Sequence, residues 1–290
     1  MSAPSVLYDA PGPKAKARNV GYTIVFLVAL AAVFWWVLAT MAEKNQLDWD
    51  KWSPFFTDGR VWTTFILPGL QNTLIAAALS IIIALPIGAL FGILRLSDHA
   101  WVRWPAATIV EFFRAVPVLI LMVFANEFYF NFTDIDSDQR PLFAVVTGLV
   151  LYNGSVLAEV VRAGILSLPK GQTEAAQALG LRKSQTMTNV LLPQAVTAML
   201  PAIVSQVVVI VKDTALGGAA VGFSELLNRV APISNNYGAN TIATLIVVAV
   251  LYIVLNFIIT SIAGALEKWN RQRKKSTGAV VRNEPAATGE

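Results

Sequence analysis

Long runs of apolar residues, each wide enough to cross a lipid bilayer, constrain this chain more than any single motif does. A transmembrane helix needs roughly 20 mostly apolar residues. Hydrophobic residues make up 56% of the chain and charged residues only 14%, which leaves little sequence for a water-soluble domain. The sequence therefore predicts an all-α membrane protein with about six transmembrane helices, at residues 20–41, 66–94, 105–130, 142–161, 190–211 and 241–266.

The chain lacks the residues that several kinds of active site require. It contains no cysteine and a single histidine, His99, which excludes disulfides, thiolate nucleophiles and zinc centres. One loop histidine cannot supply the nucleophile, base or metal ligands of a membrane-embedded hydrolase. No Gly-x-x-x-x-Gly-Lys-Ser/Thr phosphate loop occurs in the sequence, so ATP hydrolysis must belong to another polypeptide. We therefore predict no catalytic residue, no metal and no cofactor in this chain.

The distribution of charge predicts the orientation of the helices in a cytoplasmic membrane. Lys and Arg accumulate on the cytoplasmic side of short loops, and here basic loops alternate with aspartate-containing ones. Both termini are therefore predicted to be cytoplasmic, and the loop 42–65 is predicted to be external. We expect a disordered basic tail at 1–19 and a second basic tail, in contact with anionic lipid, at 269–290. The net charge of +4 thus indicates a lipid bilayer rather than nucleic acid as the partner.

A short polar segment lies inside the cytoplasmic loop 163–189. Pro169 breaks the preceding helix. Thr173 can cap a new helix, with Glu174 near the positive end of its dipole, and Gly180 can end it. A helix of about two turns is unstable alone in water, so tertiary or partner contacts must hold it.

Four motifs in the chain resemble those of a known transporter family. The motif Glu174-Ala175-Ala176, followed by Gly180 and then by Leu192-Pro193, is similar to the loop motif of permease subunits of ATP-binding-cassette importers. Three further strings are similar to those of the polar amino acid branch of these importers: EFFRAVP at 111–117, LAEVVRAGI at 157–165 and KDTAL at 212–216.

The resemblance implies a type I importer permease fold, with a five-helix core at 66–268 preceded by an additional helix at 20–41. It implies partners: two ATP-binding-cassette ATPase subunits, a second permease subunit, identical or homologous, and an extracytoplasmic amino acid binding protein. General likeness to actinobacterial-type permeases favours glutamate as the solute, with glutamine, arginine or histidine as alternatives. An ion-coupled secondary transporter is disfavoured because no internal repeat is evident. The implied ATPase-coupling residues are Gly171, Gln172, Thr173, Glu174, Ala175, Ala176, Gly180 and Leu181.

Ionisable residues inside the apolar runs are candidates for the substrate path, because such residues usually face a bundle interior or a water-filled route. Glu111 and Arg114 share a helical face; they either neutralise each other or leave Arg114 to bind a substrate carboxylate. For Glu159 the structural interpretation is favoured, with Arg162 as its partner. Asn153 could contact a solute, but a hydrogen bond to a neighbouring helix is the safer interpretation.

Two segments near the external side carry further polar residues. Lys212, Asp213 and Thr214 follow an apolar run and precede two glycines, which indicates either an interrupted helix at a ligand site or the external membrane surface. The segment 223–240 has an amphipathic pattern that predicts Glu225 on its polar face. One interpretation of this pattern is that the segment caps the external mouth of the path.

Overall fold

The computed structural model describes the backbone of residues 12–276 and the side chains of residues 12–265, and this part of the chain is almost entirely helical. The first six helices are α1 (Pro13–Glu43), α2 (Trp49–Trp52), α3 (Pro54–Thr57), α4 (Leu67–Leu94), α5 (Ala100–Ala115) and α6 (Val118–Phe132). The next four are α7 (Arg140–Leu166), α8 (Lys170–Ala178), α9 (Lys183–Thr186) and α10 (Leu192–Asp213). The last three are α11 (Leu216–Val221), α12 (Val230–Asn236) and α13 (Thr241–Ser276).

The helices confirm the predicted all-α membrane fold with about six spans. Within the described residues, five helices are long and apolar enough to cross a membrane, and α5 with α6 gives a sixth if that pair is one span. The span predicted at 105–130 is divided into two helices, because the axes of α5 and α6 differ by 102°. Pro117 causes the break: its ring disfavours helical backbone at Val116, whose φ and ψ are −85° and 128°.

The helix α1 differs from the prediction at its start. It begins at Pro13, so the basic residues Lys14, Lys16 and Arg18 lie in its first turns rather than in a disordered tail; residues 1–11 lie outside the described part. No residue of α1 is buried against the rest of the chain. Its apolar side chains are therefore available to lipid or to another subunit.

The remaining predicted boundaries also shift. The loop expected at 42–65 contains α2 and α3, and a π-helical turn at Val61–Ile66 leads directly into α4. At the other end, α13 continues through Ser276, so the first part of the tail expected at 269–290 is helical. Residues 277–290 lie outside the described part of the chain.

The central helix α7 packs against α4, α5, α6 and α10. Its contact with α4 depends on Gly88 and Gly92, which lie one turn apart on α4. A Cβ at Gly88 would lie 2.5 Å from the Cβ of Leu157, and one at Gly92 would lie 2.7 Å from the carbonyl oxygen of Ala158. Only glycine permits this approach, and small residues bring helix backbones together in membranes in this way.

At the end opposite α8, the segment containing α2 and α3 is joined to the turn before α13. Lys51 Nζ donates a hydrogen bond to the carbonyl oxygen of Gly238 at 2.5 Å, and Tyr237 donates its hydroxyl to Asp58 Oδ2 at 2.9 Å. The backbone N–H of Arg60, together with Tyr237, holds the pKa of Asp58 below its usual value. We call these contacts the outer clasp.

Candidate functional site

The helix α8 contains most of the predicted coupling residues, but it begins earlier than expected. Pro169 occupies the N-cap position and Lys170 is the first helical residue. The prediction that Thr173 caps this helix is therefore wrong, because the helix begins three residues before it. Glu174 lies beyond the first turn, away from the free N–H groups at the positive end.

The C-terminal end of α8 confirms the prediction for Gly180. The N–H of Gly180 bonds to the carbonyl of Gln177 at 2.9 Å, and that of Leu181 bonds to the carbonyl of Ala176 at 3.1 Å. This pair of bonds is a Schellman motif, which requires left-handed backbone at the residue after the cap. Gly180 supplies it with a φ of +74°. The backbone therefore turns sharply and redirects the chain into α9.

One face of α8 rests on the protein and the other is free. Ala176 is buried, and the Oε1 of Gln172 accepts a hydrogen bond from Gln194 Nε2 in α10 at 3.1 Å. Leu179 just beyond the helix has 81% of its surface exposed. The exposed residues on the other face are small or polar: Gly171, Glu174, Ala175, Gln177 and Ala178.

The first residue of α9 ties this loop to the connection between α4 and α5. Lys183 Nζ lies 2.5 Å from Asp98 Oδ1 and donates to the carbonyl oxygen of Leu96 at 3.2 Å. The ammonium group lowers the pKa of Asp98 below its ordinary value. The contact links the loop that contains α8 and α9 to the connection that leads into α5.

A cluster of five charged side chains joins α4, α5 and α7 close to the α8 end. Arg95, directly after α4, lies at its centre: Nη1 is 2.6 Å from Glu159 Oε2 and Nη2 is 2.8 Å from Glu111 Oε1. Arg114 approaches the same two carboxylates at 3.6 and 3.7 Å. Arg162 lies 3.1 Å from Glu159 Oε1. Three guanidinium groups thus face two carboxylates and leave one excess positive charge.

The sequence did not indicate the central residue of this cluster. Helical spacing predicted the pairs Glu111–Arg114 and Glu159–Arg162, whereas the shortest contacts of both carboxylates go to Arg95, whose side chain is only 9% exposed. The available signal was a lone arginine at the end of an apolar helix, which usually marks no more than a membrane boundary. Its partners lie 16 and 64 residues away in the sequence.

A cavity of about 490 Å³ adjoins the cluster. Glu111, Arg114 and Glu159 line it together with Tyr152, so three of the predicted path residues lie together. The side chain of Arg114 is 36% exposed, and its ion contacts within the described part of the chain are 3.6 and 3.7 Å long. A guanidinium group has five N–H donors, so Arg114 can bond to an incoming carboxylate as well. The cavity therefore offers an anion a positive group beside a phenol.

Asn153 does not line this cavity. It is fully buried, accepts a hydrogen bond from Gln206 Nε2 in α10 at 2.5 Å and donates to the carbonyl of Leu149 in its own helix at 2.9 Å. These bonds agree with the helix-packing interpretation. The amide fixes α7 against α10.

The residues Lys212, Asp213 and Thr214 lie where α10 ends, remote in the fold from the charged cluster. A short break separates α10 from α11, as the sequence predicted. Thr214 is fully buried and donates its hydroxyl to the carbonyl of Val211 at 2.7 Å. Lys212 is exposed and lines a separate cavity of about 310 Å³ with Tyr252.

Glu225 is buried, contrary to its predicted place on a polar outer face. Its side chain accepts hydrogen bonds from the N–H groups of Leu227 at 2.6 Å and Asn228 at 2.7 Å, and from the Tyr252 hydroxyl at 2.9 Å. These three donors compensate for burial. A backbone turn and a distant tyrosine supply them, so the periodicity of the segment could not indicate this burial.

The family model for binding-protein-dependent transport system inner membrane components matches residues 84–272. The chain belongs to this family. The match extends from within α4 to within α13 and includes both α8 and the charged cluster, whereas α1 lies outside it. The chain is therefore a membrane permease component, and the predicted family resemblance is confirmed.

Individual members of the family are similar to this permease component over most of its length. It is 46% identical over 250 residues to the glutamate transport system permease protein GluD of Corynebacterium glutamicum, covering 84% of this chain and 89% of that protein. It is 30% identical to the probable glutamine permease GlnP of Bacillus subtilis, covering 70% and 92%. A crystal structure of an amino acid ABC transporter matches with a TM-score of 0.61 and 25% identity, over 71% of this chain and 94% of that one.

Proposed function

We propose that this permease component conducts glutamate into the cell as part of an ATP-driven importer. The single observation that supports glutamate as the solute is the 46% identity to the glutamate permease GluD over 84% of the chain. Glutamine is the second candidate, since the chain is also 30% identical to GlnP. Arginine and histidine remain further alternatives.

The chain is oriented with both termini in the cytoplasm. This orientation places α8 and the charged cluster on the cytoplasmic side and the outer clasp on the opposite side. The basic residues near the ends of α4 and α7 support it, because Lys and Arg are retained on the cytoplasmic side.

The helix α8 couples the permease to an ATPase. Its free face, with Glu174 and Ala175, docks in the ATPase subunit, and Gly180 and Leu181 set the direction in which the chain leaves that contact. Movement of α8 reaches α10 through the bond between Gln172 and Gln194 and reaches the start of α5 through Lys183 and Asp98. Gly171, Thr173 and Ala176 complete the coupling surface. Two ATPases, a second permease subunit and an external binding protein complete the importer.

The cavity beside the charged cluster forms the cytoplasmic part of the substrate path. Arg114 binds the substrate carboxylate there, since a guanidinium group matches a carboxylate in charge and geometry. Glu111 and Glu159 hold Arg114 in place from two different helices. Lys212, Asp213 and Thr214 border the outer part of the path, and Asn153 lies between the two parts.

Purification of the tagged chain in mild detergent, with mass spectrometry of co-purifying subunits, tests this function. The complex is then placed in nanodiscs, and ATP hydrolysis is measured with its binding protein and each of four amino acids. We expect an ATPase and a second permease to co-purify, and glutamate to stimulate hydrolysis most. Stimulation by glutamine alone would show that glutamine, and not glutamate, is the solute. Accumulation of solute in vesicles by the isolated chain would contradict the ATP-driven mechanism.

A further inference from the structure

We propose that α5 lies in the plane of the membrane, in the cytoplasmic leaflet, and that the groove between α5 and α6 binds an anionic phospholipid. The sequence predicted a single membrane span at 105–130. The 102° bend instead separates it into two helices with different surroundings. The assignment to the cytoplasmic leaflet depends on the orientation proposed above; the in-plane position does not.

Both ends of α5 are fastened near the same end of α4. Its start follows α4 after a loop of only five residues, 95–99, while Glu111 near its other end binds Arg95 at 2.8 Å. Residues 100 and 111 are separated by roughly 16 Å along a helix axis. The loop is compact, since Arg103 Nη1 donates to the carbonyl oxygen of Ser97 at 3.2 Å, so α5 starts close to Arg95. If α5 then ran alongside α4, this rise and the spacing of about 8–10 Å between packed helices would together exceed the reach of one Arg–Glu pair. The helix α5 is therefore strongly inclined to α4.

The side chains of α5 fall into three faces. Val102, Ala106 and Val110 turn toward the protein, and Ala106 and Val110 are buried. Arg103, Glu111 and Arg114 form a charged face. The third face is apolar and exposed: Trp101 is 77%, Trp104 68% and Phe112 59% accessible.

These three faces suit a helix that lies between protein, water and lipid. A helix that crosses the bilayer needs no charged stripe beside a lipid-facing stripe along its whole length, whereas an interfacial helix needs both. Tryptophan is enriched at the level of the lipid headgroups, and the two exposed tryptophans lie on the apolar face. The geometry thus places this face against the acyl chains and Arg103 at the headgroups.

The bend also creates a place for an acyl chain. A cavity of about 520 Å³ lies between α5 and α6, and almost all of its lining is apolar and aromatic. Such a lining favours a hydrocarbon chain over a polar solute. The neighbouring charged cluster has one more cation than anion, and Arg103 is exposed, so an anionic headgroup is complementary. The residues that line the groove include Phe112, Phe113, Ile120, Phe124, Phe128 and Leu151.

Depth measurements on the complete importer in nanodiscs test the position of α5. Because this chain has no cysteine, single cysteines at 101, 104, 108 and 112 can carry a spin label without background from the permease itself, and the unsubstituted importer treated in the same way measures the labelling of the other subunits. Collision with oxygen and with a nickel chelate then reports their depth. We expect all four labels at a similar depth, about 5–10 Å below the headgroup boundary. A steady change totalling about 16 Å between 101 and 112 would mean that α5 crosses the membrane, and it would overturn the proposal.

Positions 120, 124 and 128 on α6 provide the matched control. Their side chains are 53%, 72% and 48% exposed, and α6 is expected to cross the membrane. Their labels should therefore differ in depth by roughly 6 Å per turn. The result does not depend on transport, so it is independent of the identity of the solute.

The nature of the occupant is tested by fluorescence quenching. A label at position 108, in an otherwise unchanged chain, is exposed to phosphatidylglycerol or phosphatidylcholine with brominated acyl chains. We expect stronger quenching by phosphatidylglycerol. The substitution Arg103→Gln should lower this preference about fivefold, the equivalent of ~1 kcal/mol per basic residue at a membrane surface. Arg60→Gln, a change at an exposed arginine on the opposite side, should leave it unchanged.

Two results would overturn the lipid assignment. Equal quenching by both lipids would remove the selection of an anionic headgroup. Protection from both lipids would mean that another polypeptide, such as the second permease subunit, covers this face. If the variant at 108 fails to assemble, Trp101→Cys and Trp104→Cys provide labels on the same face for the same measurement.

Discussion

The helix α8 and the charged cluster lie at the same end of the molecule but are held in place in different ways. The form of α8 depends on nearby residues: Pro169 begins it and Gly180 ends it through two backbone bonds. The cluster depends on side chains from three helices that are far apart in the sequence. A change in α8 should therefore affect its own shape and docking, whereas a change in the cluster should weaken the packing of the membrane helices.

The largest effect on stability is expected for Arg95→Met. The substitution leaves Glu111 and Glu159 without their shortest ion contacts, and loss of one partner of a buried pair costs about 3–5 kcal/mol. Because Glu111 is 58% exposed, we expect a loss near the lower limit, about 3 kcal/mol. Thermal unfolding of the purified complex in detergent measures it. Arg95→Lys keeps one of the two contacts and should recover part of the loss; equal melting of all three proteins would show that the cluster does not hold the helices.

The second prediction concerns Gly180→Val. A side chain at a φ of +74° costs roughly 1–2 kcal/mol, so the Schellman turn should open and α8 should lose its docking position. We expect solute-stimulated ATP hydrolysis and uptake to be abolished, while membrane insertion and thermal unfolding of the membrane helices change little.

Gly171→Ala is the matched control for Gly180. A Cβ at either glycine meets no atom within 4 Å, but only Gly180 has left-handed backbone. The alanine at 171 should therefore leave the fold of α8 unchanged or stabilise this helix by up to about 1 kcal/mol, so the control isolates the cost of left-handed backbone. Normal uptake by Gly180→Val would contradict the role of this turn in coupling.

A smaller effect is expected for Arg162→Gln. Among the described side chains, its one ion contact is with Glu159 at 3.1 Å, and its own side chain is 37% exposed. An exposed pair of this kind contributes about 0.3–0.5 kcal/mol. Thermal unfolding should thus distinguish Arg162 clearly from Arg95, and a loss as large as that of Arg95→Met would show that all the ion contacts of the cluster act as one unit.

The smallest effect is expected at the contact between α9 and the α4–α5 connection. Asp98→Asn and Lys183→Gln should each slightly lower the ratio of uptake to ATP hydrolysis, and the double substitution should do no more than either alone. Because Lys183 lowers the pKa of Asp98, the ion pair persists at neutral pH. It is lost only as the pH falls through this depressed pKa. The effect of Lys183→Gln should consequently disappear in strong acid, where wild type loses the pair as well.

The difference between α8, which depends on nearby residues, and the charged cluster, which depends on distant ones, also explains what the sequence could predict. The number of spans, the position of α8 and its end at Gly180 follow from composition and from neighbouring residues, so they were predictable. The break at Pro117 has a local signal as well, because proline constrains the residue before it. The size of the bend could not be predicted, since α5 and α6 each pack against the distant helix α7. The partners of Arg95 and the burial of Glu225 could not be predicted, since distant segments supply the contacts that stabilise them.

The outer clasp has a consequence for the order in which the protein matures. Lys51 and Gly238 are 187 residues apart, and a chain is synthesised from its N-terminus. Lys51 therefore emerges from the ribosome long before the carbonyl group to which it binds, and α4 through α12 are made in the interval. The clasp can therefore close only when the chain has been made as far as the start of α13, so the early segment lacks these contacts until biosynthesis of the bundle is nearly complete.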